Sequence, residues 1–460
     1  MPIALKPFIL AAALLPVLAG CALTPDNQRP AVTTPEQWQA ADIIGAGTAT
    51  VTADWWQRFD SGELNDLMHQ ALAANLDVAA AMARIEQARA SARSAGASRL
   101  PAVEAGAAAS RSNGSSRDNS QAELSVGYEL DLWGGNAATA RAAEARFAAS
   151  VYDLDAVRLV LQSELAASYF RALALKNRLA IAEENLAAAR QLLALVQVRF
   201  DNGAATALEL AQQRTSVFNI EAELPALRQQ LQQTQHALAV LLGRPPQGFR
   251  IAGESLSALQ LPAVAAGQPA TLLERRPDIR RAEAQLQAAN ADIGAARAAL
   301  YPSVRLSAAS GVSGFLSGGS TSITTLAASL AQTIFDGGRL QGQLAQSQAR
   351  RTELAAQYVQ AVLTSFREVE DSLVAVQANE IRAAALTQSA AQAQRAYQLA
   401  VARYEAGAQD LLNLLDSQRS RLQAQDSLIQ AELARYAATV DLFKALGGGW
   451  DSPAAETAAR

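Results

Sequence analysis

One thiol and one small group of charges are what this chain of 460 residues offers to chemistry. The thiol is Cys21, the single cysteine present. It closes the run Leu18-Ala19-Gly20-Cys21, after a lone Lys6 and an apolar stretch from Phe8 to Leu18. A charged start, an apolar core and small residues ahead of a cysteine make a bacterial signal peptide that ends at a lipid acceptor, so the chemistry is acylation; the alternative is a buried free thiol. One cysteine also leaves no disulfide within the chain and no Cys-ligated metal. The charges are Asp410, Asp416 and Arg419, interleaved with Leu412 and Leu415 at a helix start. Asp416 and Arg419 stand three apart and share a helical face, where they can pair; the alternative is a solvated polar face at an N-terminus that favours acids anyway. His69 and His236 are far apart in sequence, and each reads as a helix-surface or core residue rather than a ligand. There is no Walker A loop, no G-x-S-x-G, no H-E-x-x-H and no Rossmann fingerprint. A net charge of −4 with no basic cluster argues against nucleic acid as a partner.

The elements that carry these residues are written twice. Residues 199–243 and 403–447 repeat at an offset of 204, pairing Arg199 with Arg403, Gly203 with Gly407, Leu208 with Leu412 and Gly243 with Gly447. A second register, at an offset of 201, pairs Asp77 with Asp278, Pro101 with Pro302 and Val103 with Val304. Both halves therefore have the same order of parts. Between Gly135 and Gly203 lie 67 residues without glycine or proline, rich in Ala, Leu, Arg, Gln and Glu, which predicts one helix about 100 Å long. The second half has 64 such residues between Gly342 and Gly407. Turns at Asp201-Asn202-Gly203 and Glu405-Ala406-Gly407 then reverse the chain into helices of about 39 residues, roughly 58 Å, ending at Gly243 and Gly447. Helical segments at about 75–99 and 277–299 add roughly 35 Å, so two shorter pieces stacked end to end match one long helix. Pro225 predicts a kink in the first returning helix. Leu179, Leu186, Leu193 and Phe200, with Ala182, Ala189 and Val196, make a heptad seam; an ordinary two-stranded coiled coil is the plainer alternative.

Between the helices the period changes. Leu124, Val126, Tyr128, Leu130 and Leu132 alternate with Ser125, Gly127, Glu129 and Asp131, a period of two with one apolar face. Val103–Ala109 precedes it as a strand and Arg111–Ser120 as a loop; Val304–Ala308, Gly311–Ser322 and Leu326–Ile334 repeat the arrangement, one β-hairpin per half. No later stretch has the apolar length of a membrane helix, so any spanning part must be β, and strands of about ten residues with one apolar face suit a barrel wall. Four strands cannot close a barrel and open edges are not tolerated in lipid, so a membrane assignment requires several chains to pool strands.

The domain reading is a lipoprotein signal peptide at 1–20, a lipid-anchored extended arm at 21–62, a first repeat at 63–243 with its hairpin at about 101–133, and a linker at 244–270. A second repeat follows at 271–447 with its hairpin at about 302–336, then a tail at 448–460. The arm carries Trp55, Trp56 and Phe59 ahead of the first helix, and the linker carries Pro245, Pro246, Pro262 and Pro269.

Across essentially the whole mature chain the residues resemble the outer-membrane efflux proteins of the TolC type, in their lipid-anchored NodT-like branch. The most specific stretch is LLERRPDIRRAEAQLQAANADIGAARAALYPS, Leu272 to Ser303. DWWQRF at Asp54–Phe59, YELDLWG at Tyr128–Gly134, RFDNG at Arg199–Gly203, LLGRPP at Leu241–Pro246, FDGGR at Phe335–Arg339 and RYEAG at Arg403–Gly407 support it. Two departures touch helix starts: Leu76 where a proline is usual, and Gly135 where an arginine usually follows Gly134.

The resemblance implies a mainly α fold with a β-barrel portion, in which a homotrimer forms a 12-stranded barrel in outer-membrane lipid, continuous with a 12-helix periplasmic α-barrel. It also implies a periplasmic adaptor (membrane fusion) protein and an inner-membrane RND-type pump as partners. On that reading the protein is no enzyme and needs no cofactor beyond the lipid on Cys21. It is the exit duct of a tripartite pump that exports small molecules. Asp410, Leu412, Asp416 and Arg419 become rings at a periplasmic gate, and the turns with Arg199, Gly203, Arg403 and Gly407 become adaptor contacts. The duct of a type I protein-secretion system and a non-conducting trimeric scaffold remain as alternatives.

Overall fold

The computed structural model of the chain describes residues 23–39, 51–110, 119–253, 255–315 and 319–448. The signal peptide, Cys21, most of the loop read at Arg111–Ser120 and the tail beyond Gly448 lie outside the described residues. Among the described residues, seven longer helices and four strands fall into two halves of similar order. The first half runs α1 (Gly62–Ala74), α2 (Leu76–Ala97), β1 (Ala102–Ser110), β2 (Asn119–Leu130), α3 (Gly135–Asp201) and α4 (Ala207–Leu241). The second runs from a single turn at Leu272–Arg275 into α5 (Pro277–Ala298), β3 (Ser303–Ser313), β4 (Thr321–Ala331), α6 (Arg339–Glu405) and α7 (Leu411–Ala445). Helices α2 and α5 are each 22 residues, α3 and α6 each 67, and α4 and α7 each 35. The change of offset from 201 to 204 therefore falls in the hairpins, where the second half is three residues longer.

The glycine-free stretch in the second half understates its helix, because α6 begins at Arg339 and runs through Gly342. One glycine costs a helix only about 1 kcal/mol, too little to stop 67 residues of propensity and packing. Helix α4 likewise continues through Pro225. Two motifs explain where the long helices start. Asp131 accepts the backbone N–H groups of Asn136 and Ala137 (3.0 and 2.7 Å), and Asp336 accepts those of Gly338 and Leu340 (both 3.0 Å). These are the acids of YELDLWG and FDGGR, each satisfying donors that a first helical turn leaves open.

By contacts the chain divides into two compact units. The first holds residues to Val32, 82–153 and 278–362. Its centre is one antiparallel sheet in the order β1-β2-β3-β4, so β2 pairs with β3 and joins the two hairpins. Strand β3 runs on to Ser313 and β4 begins at Thr321, in stretches read from sequence as loop. Alanine, serine and threonine there are too small and mixed to display a period of two. Opposite partners share a face, and the register sorts the larger residues, with Ser310, Ser322 and Thr324 as polar exceptions on the apolar side. Val103, Leu124, Val126, Tyr128, Leu130, Val304, Leu306, Val312, Leu326 and Leu330 lie on one side. Glu104, Glu123, Ser125, Glu129, Arg305, Ser307 and Thr325 lie on the other, with Ile323 the apolar exception. Among the described residues nothing covers the apolar side: Leu326 is 81% and Leu330 70% exposed. Within the described chain β1 and β4 are both open edges.

The second unit holds residues 33–81, 154–277 and those from 363 onward. Its core is aromatic. Trp55 and Phe59, on a short 3-10 turn, are wholly buried; Trp55 stacks on Phe443 (centroids 5.0 Å apart, 22° between planes), and Phe59 meets Phe170 at 4.8 Å. Phe170 in turn meets Tyr436 at 5.0 Å, so DWWQRF pins α3 to α7. Of LLERRPD, Arg276 pairs with Glu368 at 2.7 Å and donates to the Ala445 carbonyl at 3.1 Å. Farther along, Leu175, Ala182, Leu186 and Ala189 of α3 pack with Val217, Ile220, Leu224 and Leu227 of α4, the heptad seam in place. Phe200 departs from it and is 37% exposed.

One carboxylate in this unit gives stability a pH dependence. Burial raises the Asp155 pKa from an ordinary 3.8 to about 6, against the opposing pull of Arg158. The folded state then holds this proton more tightly than the unfolded chain, so the contribution is full below the unfolded value and is lost as pH rises through the folded one. Asp155→Asn should therefore raise the thermal midpoint at pH 7.5 and leave it nearly unchanged at pH 4. Differential scanning fluorimetry at the two pH values checks this; an equal shift at both would contradict it.

Candidate functional site

The two turns at the ends of α3 and α6 are built alike. Gly203 and Gly407 both have φ of +72°, a left-handed conformation that costs a residue with a β-carbon about 1–2 kcal/mol. At the first turn Gly203 N–H donates to Phe200 O (2.9 Å) and Ala204 N–H to Arg199 O (2.7 Å). At the second, Gly407 donates to Tyr404 O (3.0 Å) and Ala408 to Arg403 O (2.9 Å). Each closes its helix by the paired bonds of a Schellman cap, which is why RFDNG and RYEAG end in glycine. The returning helices are capped differently. Thr206 and Glu209 form a reciprocal capping box on α4, whereas Asp410 is the N-cap of α7, accepting from the backbone and side-chain nitrogens of Asn413 at 3.1 and 2.7 Å.

Of the gate candidates, Asp416 and Arg419 are brought together by an ion pair of 3.2 Å on the exposed face of α7, and Leu412 stands exposed one turn earlier. Leu208, its counterpart on α4, is exposed too. Asp410 serves the helix end. The two turn arginines part company. Arg199 donates to the Glu405 carbonyl at 2.9 Å and lies 4.5 Å over the Tyr404 ring, tying the first turn to the end of α6. Arg403, its counterpart, is exposed.

Behind these exposed groups lies a buried polar layer that the sequence reading missed. Arg421 of α7, 3% exposed, donates to Asn185 Oδ1 of α3 and lies 4.3 Å over the Tyr397 ring of α6. Asn185 also donates to Gln425 (3.3 Å), and Arg178 pairs with Asp426 at 2.5 Å. Burial raises the Tyr397 pKa despite Arg421 beside it. The missed signal is spacing: Leu411, Leu414, Gln418 and Arg421 follow a 3-4-3 seam in which the last two positions are polar. Leu411 and Leu414 pack with Leu192, Val196, Leu210, Tyr397 and Tyr404, so α3, α4, α6 and α7 all meet behind the turns.

Among the described residues no group of three or more His, Cys, Asp or Glu could hold a metal, and no helix is long and apolar enough to cross a membrane. What the geometry offers is long helices closed by rigid turns, an exposed charge pair and an amphipathic sheet. The family model for the outer membrane efflux protein matches residues 67–244 and 269–448. The chain is 40% identical to the pyoverdine export outer membrane protein OpmQ of Pseudomonas aeruginosa over 95% of each chain. It is 36% identical to the outer membrane protein OprJ of the same species over 94% of each. The solved outer-membrane channel OprN superposes with a TM-score of 0.87 at 29% identity, covering 94% of this chain and 100% of that one. The repeated helix–hairpin–helix architecture, its motif-bearing caps and these similarities have one conclusion: the chain belongs to the outer membrane efflux protein family, whose members are transport ducts and not enzymes.

Proposed function

We propose that this protein is the outer-membrane exit duct of a tripartite efflux pump, assembled from three copies and exporting small molecules. The observation that carries the reading is the sheet: four strands, one uncovered apolar face, one polar face and two open edges. In lipid every backbone group must be paired, so such a sheet is complete only when β1 and β4 meet the edges of further copies. Three copies give twelve strands, with the Val126 face toward lipid and the Glu129–Arg305 face toward a water-filled lumen. The 67-residue helices then supply the periplasmic part of the wall. Energy comes from an inner-membrane pump of the RND class, and a periplasmic adaptor bridges the two. Domain bounds follow the repeat: signal peptide to residue 20, acylated arm from Cys21 to 62, repeats at 63–243 and 271–447 around a linker, and a short tail.

The gate is the α7 segment behind the second turn. Leu412 and the Asp416–Arg419 pair project from it, and in threefold symmetry each becomes a ring across the axis. Asp416→Ala with Arg419→Ala removes restraints that the shut state uses and should raise open probability of purified trimers in a planar bilayer. Unchanged gating with trimers intact would return the pair to an ordinary solvated face.

The turns with Gly203 and Gly407 are the adaptor contacts. Arg403 is the arginine available for a partner, since Arg199 is engaged within the chain. Gly407→Val strains the turn by about 1–2 kcal/mol and should weaken co-purification of the adaptor while trimers still form. Full adaptor recovery from the variant would place the contact elsewhere.

A further inference from the structure

The helix that bears the gate candidates has a polar break in its buried seam. Leu411 and Leu414 begin the stripe by which α7 packs on α3, α4 and α6, and Gln418, Arg421 and Gln425 continue it at the same spacing. The first half of the chain fills the matching position with an apolar residue. At the repeat's offset of 204, Arg421 corresponds to Val217, which is 4% exposed and packs in one cluster with Leu186, Ile220 and Leu224. A charge is therefore not needed to build such a seam.

Arg421 is also poorly compensated. It donates to Asn185 Oδ1 and lies 4.3 Å over the Tyr397 ring, while its Nε has no partner and no carboxylate of the described residues pairs with it. Asp426, five residues on, is taken by Arg178 at 2.5 Å. Gln418, one turn before Arg421, is buried with neither atom of its amide partnered among the described residues. One amide oxygen and one ring face offset only part of the cost of taking a guanidinium out of water.

We infer that Arg421 is a positioning residue of the gate that weakens the shut arrangement: its charge is under-compensated while α7 lies on α3, and it reaches water when α7 moves away. The segment with Leu412, Asp416 and Arg419 is then held loosely enough to open. This rests on the gate reading given above, and it is opposite in sign to the Asp416–Arg419 pair, which restrains the shut state. Removing one member of a buried polar pair leaves the other stranded, whereas replacing both by apolar residues of like volume is often neutral or stabilising. The informative variant therefore changes Asn185 together with Arg421.

The test is hydrogen exchange on the full purified protein, parent against the Asn185→Leu, Arg421→Met double variant. Amides at 415–425 should exchange about tenfold more slowly in the double variant, those of the repeat counterpart at 211–221 should change little, and the thermal midpoint should hold or rise. Arg421→Lys, which keeps a charge in the seam, should exchange like the parent. In a planar bilayer, adding the double replacement to Asp416→Ala, Arg419→Ala trimers should cut open probability about tenfold. Exchange at 415–425 that is unchanged or faster would overturn the inference and make Arg421 a latch. A double variant that fails to fold would overturn it as well, since the seam would then need its polar layer. Slower exchange with open probability unmoved would uphold the loosening of α7 by Arg421 and overturn the gate reading instead.

Discussion

If three copies pool their strands as proposed, arginine at Val126 or Leu130 should abolish most of the folded trimer, whereas arginine at Ser125 should leave it largely intact. Val126 is opposed by Val103 and Ala308, and Leu130 by Val304, all on the uncovered apolar face. An arginine on a lipid-facing strand costs about 2–4 kcal/mol near the bilayer midplane, and in a threefold barrel each copy bears that cost. Ser125 is opposed by Glu104 and Ala309 on the polar face, where a guanidinium meets water and a carboxylate. Heat-modifiable mobility on gels, run in parallel for the three variants, reads the folded fraction. Equal loss from both faces would reject the register; equal tolerance would reject the membrane assignment.

Phe59→Ala should cost about 3–5 kcal/mol, the usual range for truncating a fully buried aromatic ring. Phe59 is wholly buried and within ring-contact distance of Trp55, Phe170, Tyr436 and Phe443. Its loss opens a cavity where the short aromatic turn, α3 and α7 meet, and the stacked Trp55–Phe443 pair loses its neighbour. The defect should appear as a lowered thermal midpoint and weak accumulation. Phe59→Leu, which keeps most of the volume, should recover most of the loss. A variant as stable as the parent would mean that this cluster does not organise the second unit.

What was legible in the sequence follows from how local each signal is. Helices α3 and α6 announce themselves because 67 residues of strong helix formers need no distant partner to declare their state, and Gly203 and Gly407 mark their ends through a positive φ. Strand β2 is legible because leucine, valine and tyrosine alternate with polar residues, while β3 and β4 are blurred by alanine, serine and threonine on both faces. The pairing of β2 with β3 depends on residues about 180 positions apart and leaves no local trace. The same holds at the candidate site. Asp416 and Arg419 could be paired from their spacing, but Arg421 finds Asn185 across 236 residues. Arg199 reads as a free turn arginine until its contact with Tyr404 and Glu405 is seen. Asp410 reads as a gate acid, and the structure adds that it caps α7.

On the proposed reading, copies of this chain enclose a water-filled path. Single-channel recording of the purified oligomer in a planar bilayer, with the Asp416→Ala and Arg419→Ala double variant beside the parent, tests it most directly. Discrete ionic current steps are expected, sparse in the parent and frequent in the variant. Bilayers that stay sealed with both proteins, after insertion of intact oligomers has been verified, would contradict it and leave a non-conducting scaffold.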